Sequence, residues 1–393
     1  DTQVISLVAN AAPASSDCAA YASTPQRYDG LLLAGFGGPE GQDDVIPFLR
    51  NVTRGRGIPD ERLEVVARHY RHFGGISPIN EQNRRLRAAL EAELAQRGID
   101  LPVYWGNRNW EPYLSDALRQ AAEAGHTRLL AFATSAYSSF SSCRQYREDF
   151  AMALEETGLD DTISIDKIRQ FFDHPAFVEA FAQDLCRTLR DFLADGLDAT
   201  SIRVLFTTHS IPTADALCSG PRDREFGPEG AYGAQHRAVA AAVMANVVDK
   251  DPRLSEIAWE LVFQSRSGPA SQPWLEPDIC DRIAELPAES VSAIAICPIG
   301  FVSDHMEVMW DLDTEAREAA AACGVRAVRT ATPGAAPGFV AGIVDLIEER
   351  MSALEPDRRP AVTALGPWFD VCRPGCCENK RAGFKPAVAG LAP

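Results

Sequence analysis

Two short segments of this chain carry side chains that move protons or hold cations. The first is Phe206-Thr207-Thr208-His209-Ser210-Ile211-Pro212, which puts His209 at the carboxyl end of a predicted strand. Open α/β sheets present their ligand crevice at that end, and an imidazole there takes or gives a proton near neutral pH. The bland alternative is a loop histidine satisfied by backbone; with seven histidines in the chain, one in such a place is a cheap coincidence. The second segment is Ser303-Asp304-His305-Met306-Glu307, again just after a predicted strand. Beyond it, Glu307, Asp311 and Glu315 recur at intervals of four on one face of a predicted helix, and no Arg or Lys interrupts residues 303–316. Like charges at that spacing destabilise a helix. Their repulsion raises carboxylate pKa values, which suits a proton relay, and a bound cation relieves it. A solvated acidic face is the competing reading. Neither segment has the His-Glu-x-x-His spacing of a zinc site, and Asp, Glu and His donors favour divalent cations such as Fe²⁺ without naming one.

The chain has ten cysteines, too dilute over 393 residues for a small disulfide scaffold. Seven are isolated (Cys18, Cys143, Cys186, Cys218, Cys280, Cys297, Cys323), as expected of small buried hydrophobes. The other three, Cys372, Cys376 and Cys377, fall within six residues near the C-terminus and need a separate account. The apolar stretch 4–12 has no basic residue before it, so it does not read as a signal peptide. The thiols therefore belong to a reducing cytoplasm.

These residues need a scaffold, and the hydrophobic pattern supplies one. Apolar strands are predicted at 30–33, 102–106, 128–133 and 161–166, with helices at 41–52, 60–72, 82–97, 112–123 and 143–157. After a helix at 176–193 the theme repeats. Strands are predicted at 202–207, 257–263, 292–297 and 325–328, and helices at 230–248, 278–285, 305–322 and 337–352. Short apolar strands alternating with longer helices predict two successive doubly wound, parallel α/β units, joined near 165–175. The expected division is a loosely ordered leader at 1–27, α/β units at 28–168 and 169–354, and a cysteine-bearing extension at 355–393. A weak echo links 129–133 with 293–297, too slight to claim duplication. The 55 acidic and 38 basic residues give a net charge of −17, which argues against nucleic acid as a partner. No run of 18 apolar residues spans a membrane. Gly35-Phe36-Gly37-Gly38-Pro39 is not a dinucleotide fingerprint, and there is neither a P-loop nor a nucleophile elbow.

From about Tyr28 to about Met351 the chain resembles the ferrochelatases, which insert Fe²⁺ into a porphyrin during heme formation. The resemblance rests on ordered motifs. They are Leu32-Leu33-Ala34-Gly35-Phe36-Gly37-Gly38-Pro39, Thr53-Arg54-Gly55-Arg56, Gly74-Gly75-Ile76-Ser77-Pro78-Ile79-Asn80, 206–212, Phe263-Gln264-Ser265, Pro273-Trp274-Leu275 and 303–307. It implies a chelatase-like fold with the porphyrin between the two units. It implies that His209 and Glu307 act on opposite walls, deprotonating the pyrroles and handling the iron. Asp304, His305, Asp311 and Glu315 match an acidic path on which a widened helical turn is expected. Phe36, Arg54, Ser77, Tyr137, Ser139 and Trp274 match segments that hold or border the porphyrin. Phe36 stands where some members carry an iron-ligating tyrosine, and Trp274 has core packing as its alternative.

The resemblance extends to the bacterial coproporphyrin III branch whose C-terminal extension carries a [2Fe–2S] cluster. On that pattern Cys143, Cys372, Cys376 and Cys377 are the ligands, with a zinc site from the same thiols as the rival. Coproporphyrin III and Fe²⁺ are then the substrates, with protoporphyrin IX the runner-up. A cobalt chelatase and a non-catalytic tetrapyrrole-binding protein are the remoter alternatives. The resemblance also implies a cytoplasmic enzyme without a transmembrane segment, in contact with neighbouring enzymes of heme formation.

Overall fold

The computed structural model describes residues 20–379, 383 and 385–391, so Cys18 and the stretch 4–12 lie outside the described residues. Eight strands form two four-stranded sheets. The first holds β1 (Gly30–Gly35), β2 (Val103–Asn107), β3 (Arg128–Ala133) and β4 (Ser164–Lys167) in the order β2-β1-β3-β4. The second holds β5 (Ile202–His209), β6 (Ala258–Gln264), β7 (Ala293–Cys297) and β8 (Arg326–Arg329) in the order β6-β5-β7-β8. All pairings are parallel. Both sheets thus have the same order, and the strands of the weak sequence echo, β3 and β7, occupy the same place in each.

Helices connect the strands. In the first unit they are α1 (Val45–Val52), α2 (Asp60–His72), α3 (Ile79–Gln96), α4 (Leu114–Glu123) and α5 (Gln145–Thr157). In the second they are α6 (Pro175–Ala194), α7 (Thr213–Leu217), α8 (Gly230–Lys250), α9 (Ile279–Glu285), α10 (Arg317–Ala322) and α11 (Pro337–Ser352). Helices on both faces explain why β1, β2 and β7 are buried at every position. One apolar core runs through both units, including Leu31, Phe132, Phe206, Phe263 and Ile343. Helix α11 packs on α6 of its own unit and on α3 of the other.

Three features of the fold bear on function. The helix expected at 305–322, with a widened turn on the acidic path, is a π-helix over Val308–Ala316 followed by α10, and a second π-turn, Phe140–Arg144, which was not expected, precedes α5. The join between the units is buried throughout 167–174. The leader is pinned over its described part: the Tyr21 hydroxyl donates to the Pro367 carbonyl (2.7 Å), and the Ala22 and Gln26 amides donate to Asp370 Oδ1 and the Met351 carbonyl. Short α7 was not expected from the pattern.

Candidate active site

In each sheet the chain leaves its first strand to one side and returns on the other. The strand order therefore reverses between β5 and β7 in the second unit, the place where α/β sheets bind ligands. Both reactive segments stand there. His209 is the last residue of β5, in register with Gln264 of β6, and the 303–307 segment follows β7. The two strand ends approach closely at Gly300, where a Cβ would lie 2.1 Å from Thr208 Oγ1, so only glycine fits.

The result is a facing pair. His209 Nε2 lies 3.4 Å from Glu307 Oε1, and His305 Nε2 lies 3.7 Å from Glu307 Oε2. Burial alone would lower the His209 pKa. The charge and hydrogen bond of Glu307, with the Ser210 carbonyl on Nδ1, reverse this and raise it to about 9. Burial likewise opposes ionisation of Glu307, but His209 holds it down at about 2. The resting pair is imidazolium and carboxylate. Both side chains stay partly open, 34 % and 43 % exposed. His305 differs: burial pushes it below the usual imidazole range despite Glu307.

The rail continues along the π-helix. Burial, then the charges of Glu307 and Glu315, raise Asp311 to about 7, against a hydrogen bond from the Ser265 hydroxyl that lowers it. Glu315 accepts a hydrogen bond from the Trp310 indole at 2.9 Å. Across from the rail stands α2 of the first unit. His69 stacks on Trp310 with ring centroids 4.2 Å apart, and Tyr70 has its phenol pKa raised by burial and by the charges of Glu307 and Asp311. The acidic rail thus lies between the two units.

Asp304 does not join it. Its carboxylate accepts from Arg329 (3.0 and 3.2 Å) and from the Thr332 hydroxyl (2.9 Å), and Arg329 also binds Asp313. Three further residues support the centre. Gln264 donates to the Glu307 carbonyl (3.3 Å) and accepts from Thr207. The Tyr232 hydroxyl donates to the His209 carbonyl (2.7 Å) and lies 3.0 Å from Thr208 Oγ1. Ser265 reaches Asp311 from a left-handed backbone, φ 63°, a conformation costing about 1–3 kcal/mol for a non-glycine residue. Gln264 and Ser265 belong to a motif noted in the sequence, but nothing there assigns them a role; Tyr232 in its alanine-rich helix gives no signal.

Comparison with known proteins supplies the family. The ferrochelatase family profile matches residues 28–351. The chain belongs to the ferrochelatase family. Coproporphyrin III ferrochelatase of Leifsonia xyli subsp. xyli is 63 % identical over 98 % of this chain and 99 % of its own. The enzymes of the same name from Tropheryma whipplei strain Twist and Streptomyces griseus subsp. griseus are 53 % and 52 % identical. They cover 98 % and 93 % of this chain, and 98 % and 97 % of their own.

In this ferrochelatase the residues matched to the porphyrin surround occupy different settings. Phe36 packs edge-on against Phe48, with the Arg108 guanidinium 5.6 Å from its ring centre. Arg54 is exposed and donates to Asn51. Ser77 is buried beside Gly38. Tyr137 is 2 % exposed, donates to the Ile299 carbonyl across the units (2.8 Å) and stacks on His236 at 3.5 Å. Ser139 caps the first π-turn by accepting from the Ser142 amide. Trp274 bridges to Pro212, and its indole N–H has no hydrogen-bond partner.

The ferrochelatase brings its four candidate thiols together. Cys143 sits in the first π-turn, and Cys372, Cys376 and Cys377 fold back to it; all four are buried. Among the described residues no three His, Cys, Asp or Glu side chains stand in a set close enough to hold one metal ion. The thiols touch in series instead: Cys143 to Cys372, Cys372 to Cys376, and Cys376 to Cys377 at 3.9 Å. Hydrogen bonds from Cys143 and Cys376, then the charges of Arg147 and Lys167, pull Cys372 below the usual thiol range despite burial.

Proposed function

We propose that this enzyme inserts Fe²⁺ into coproporphyrin III, giving coproheme and releasing two protons. The observation that carries the chemistry is the His209–Glu307 pair beside a carboxyl group poised near neutrality. The identity of 53–63 % to relatives named coproporphyrin III ferrochelatase supports the substrate.

The pair works by charge exchange. At rest His209 is protonated because Glu307 faces it. A divalent cation arriving at the Glu307–Asp311 side competes for that carboxylate. His209 then loses its counter-charge while keeping its burial, so its proton leaves and the neutral imidazole accepts one from a pyrrole. Asp311 accepts protons near pH 7 and passes them along the rail to Glu315. His305, held neutral, positions Glu307, and Asp304 anchors the segment through Arg329. In this proposal Phe36, Arg54 and Trp274 face the porphyrin, and the buried Ser77, Tyr137 and Ser139 shape the segments that border it. Arg54 is suited to propionates because a guanidinium fork matches a carboxylate. Among the described residues no helix is long and apolar enough to cross a membrane.

The deciding assay sets coproporphyrin III against protoporphyrin IX at equal iron. A higher kcat/KM with coproporphyrin III is expected, and a preference for protoporphyrin IX overturns the assignment. A pH test addresses Asp311. The Ser265 hydrogen bond lowers its pKa, so Ser265→Ala raises it above about 7. The base form is then lost at a higher pH. The acidic limb of the kcat/KM profile should move up by several tenths of a pH unit, with activity recovered at alkaline pH. An unmoved limb removes Asp311 from the proton path.

The same enzyme holds a [2Fe–2S] cluster on Cys143, Cys372, Cys376 and Cys377 in this proposal. Four thiols are the usual donor set. The fold brings all four together and buries them. When bound, the cluster supplies a one-electron redox centre; the four cysteines hold it and their burial excludes water.

A further inference from the structure

Behind the four thiols lies a guanidinium that the metallation chemistry does not use. Arg147, one turn beyond Cys143 on α5, is only 4 % exposed. Its Nε donates to the Val388 carbonyl at 2.7 Å, and the Val388 amide returns a bond to the Arg147 carbonyl. Its Nη1 has no hydrogen-bond partner. A buried guanidinium nitrogen left unpaired is costly unless something negative stands beside it. No carboxylate pairs with this arginine among the described ion pairs, whereas the charges acting on it are those of the cysteines, Cys372 foremost.

The end of the chain is shaped around this group. A Cβ on Gly390 would lie 2.1 Å from Arg147 Nη2 and 3.0 Å from the Cys372 carbonyl, so the glycine leaves room for the guanidinium where it lies. The adjoining Leu391 amide donates to the Cys372 carbonyl at 2.8 Å. The second buried cation, Lys167, is otherwise engaged: its ammonium donates to the Ile168 carbonyl (3.0 Å) and to Gln170 Oε1 (2.5 Å). Arg147 therefore has spare hydrogen-bonding capacity beside the thiols.

We propose that Arg147 is the charge-compensating residue of the four-cysteine site, offsetting the negative charge of its thiolate-bound cluster and setting that cluster's reduction potential. The inference rests on the cluster reading. An oxidised [2Fe–2S] centre on four thiolates is a dianion, and reduction adds another negative charge. A buried cation beside it favours the reduced form, and net charge is one of the levers on such potentials. Deleting the cation makes reduction harder and the potential more negative.

The test uses the intact holoprotein and the variants Arg147→Gln and Arg147→Lys. Non-heme iron, acid-labile sulfide and visible absorption come first. A wild-type protein that holds zinc and no sulfide defeats the cluster reading on which this rests, before any variant is compared. With the cluster present, Arg147→Gln should disfavour one-electron reduction about tenfold, a shift of about 59 mV. Arg147→Lys should shift it by less than half as much. Equal potentials in wild type and Arg147→Gln, or equal shifts in both variants, overturn the proposal. If Arg147→Gln emerges without cluster, loading in Arg147→Lys decides. Near-normal iron and sulfide there mean that charge is what the site requires; equal loss means that Arg147 only anchors the chain end.

Discussion

Glu307→Gln should lower the rate of iron insertion about 10²–10⁴-fold, the range for loss of a positioned proton-transfer group, while porphyrin binding persists. The amide keeps the size of the carboxylate and removes its charge. Two consequences follow for His209, 3.4 Å away. Its pKa, lifted to about 9 chiefly by Glu307 against burial, falls back toward its ordinary value when only the Ser210 carbonyl and the Asp311 charge oppose burial. At pH 7.5 the ring changes from imidazolium to neutral imidazole. The cation also loses the ligand that would exchange it for the imidazole proton. The base is then free without iron, but iron no longer has the carboxylate opposite it. Stopped-flow metallation, porphyrin fluorescence titration and the His209 ring resonance separate these effects. Unchanged turnover removes Glu307 from the reaction; a His209 resonance that still titrates near pH 9 removes the pair.

The scaffold beneath this pair is legible from sequence because parallel strands covered on both faces are short apolar runs. The strand expected at 128–133 matches β3 to the residue, and the one expected at 292–297 begins one residue before β7. β5 runs two residues beyond its apolar stretch, because Thr208 and His209 pair with Phe263 and Gln264 whatever their polarity. The helix after Glu307 is legible as a helix from its periodicity, whereas its π winding is expected only through the family resemblance. It follows from packing Val308, Leu312 and Ala316 inward while the acidic residues line the other side. Periodicity groups Glu307, Asp311 and Glu315 correctly. It cannot tell that Asp304, one residue before His305, turns away to Arg329, a partner 25 residues later. Support from Gln264, Tyr232 and Ser265 is equally hidden, because it depends on backbone carbonyls and a positive φ that leave no trace in residue type. The cysteine tail was visible as a cluster, whereas its route back to Cys143 is set by buried ion pairs.

Those ion pairs carry the second large expected effect. Arg169→Met should destabilise the protein by about 3–5 kcal/mol at neutral pH, the cost of leaving a buried charge without its partner. Arg169 lies in the join between the units, 1 % exposed. It binds Asp173, Glu349 of α11 (2.7 and 3.3 Å) and the Pro360 carbonyl (2.7 Å). Asp173 in turn accepts the Trp368 amide at 2.8 Å. Burial already raises both carboxyl groups above the usual carboxylate range in spite of the arginine. Without it they rise further, so the native state binds protons that the unfolded chain releases. Stability of the variant must then fall as pH rises, and the deficit measured by urea unfolding should be smaller at pH 5 than at pH 8. A loss below about 1 kcal/mol, or one that grows on acidification, refutes this reading. Arg169→Lys, which keeps the charge but not the planar fork, should lie between. Residues 360–368 hang on this network and lead directly to Cys372. Early proteolysis of the extension in Arg169→Met would therefore scatter the thiols while the two sheets remain folded. The join that holds the units together is thus also what brings the cysteine tail to the first π-turn.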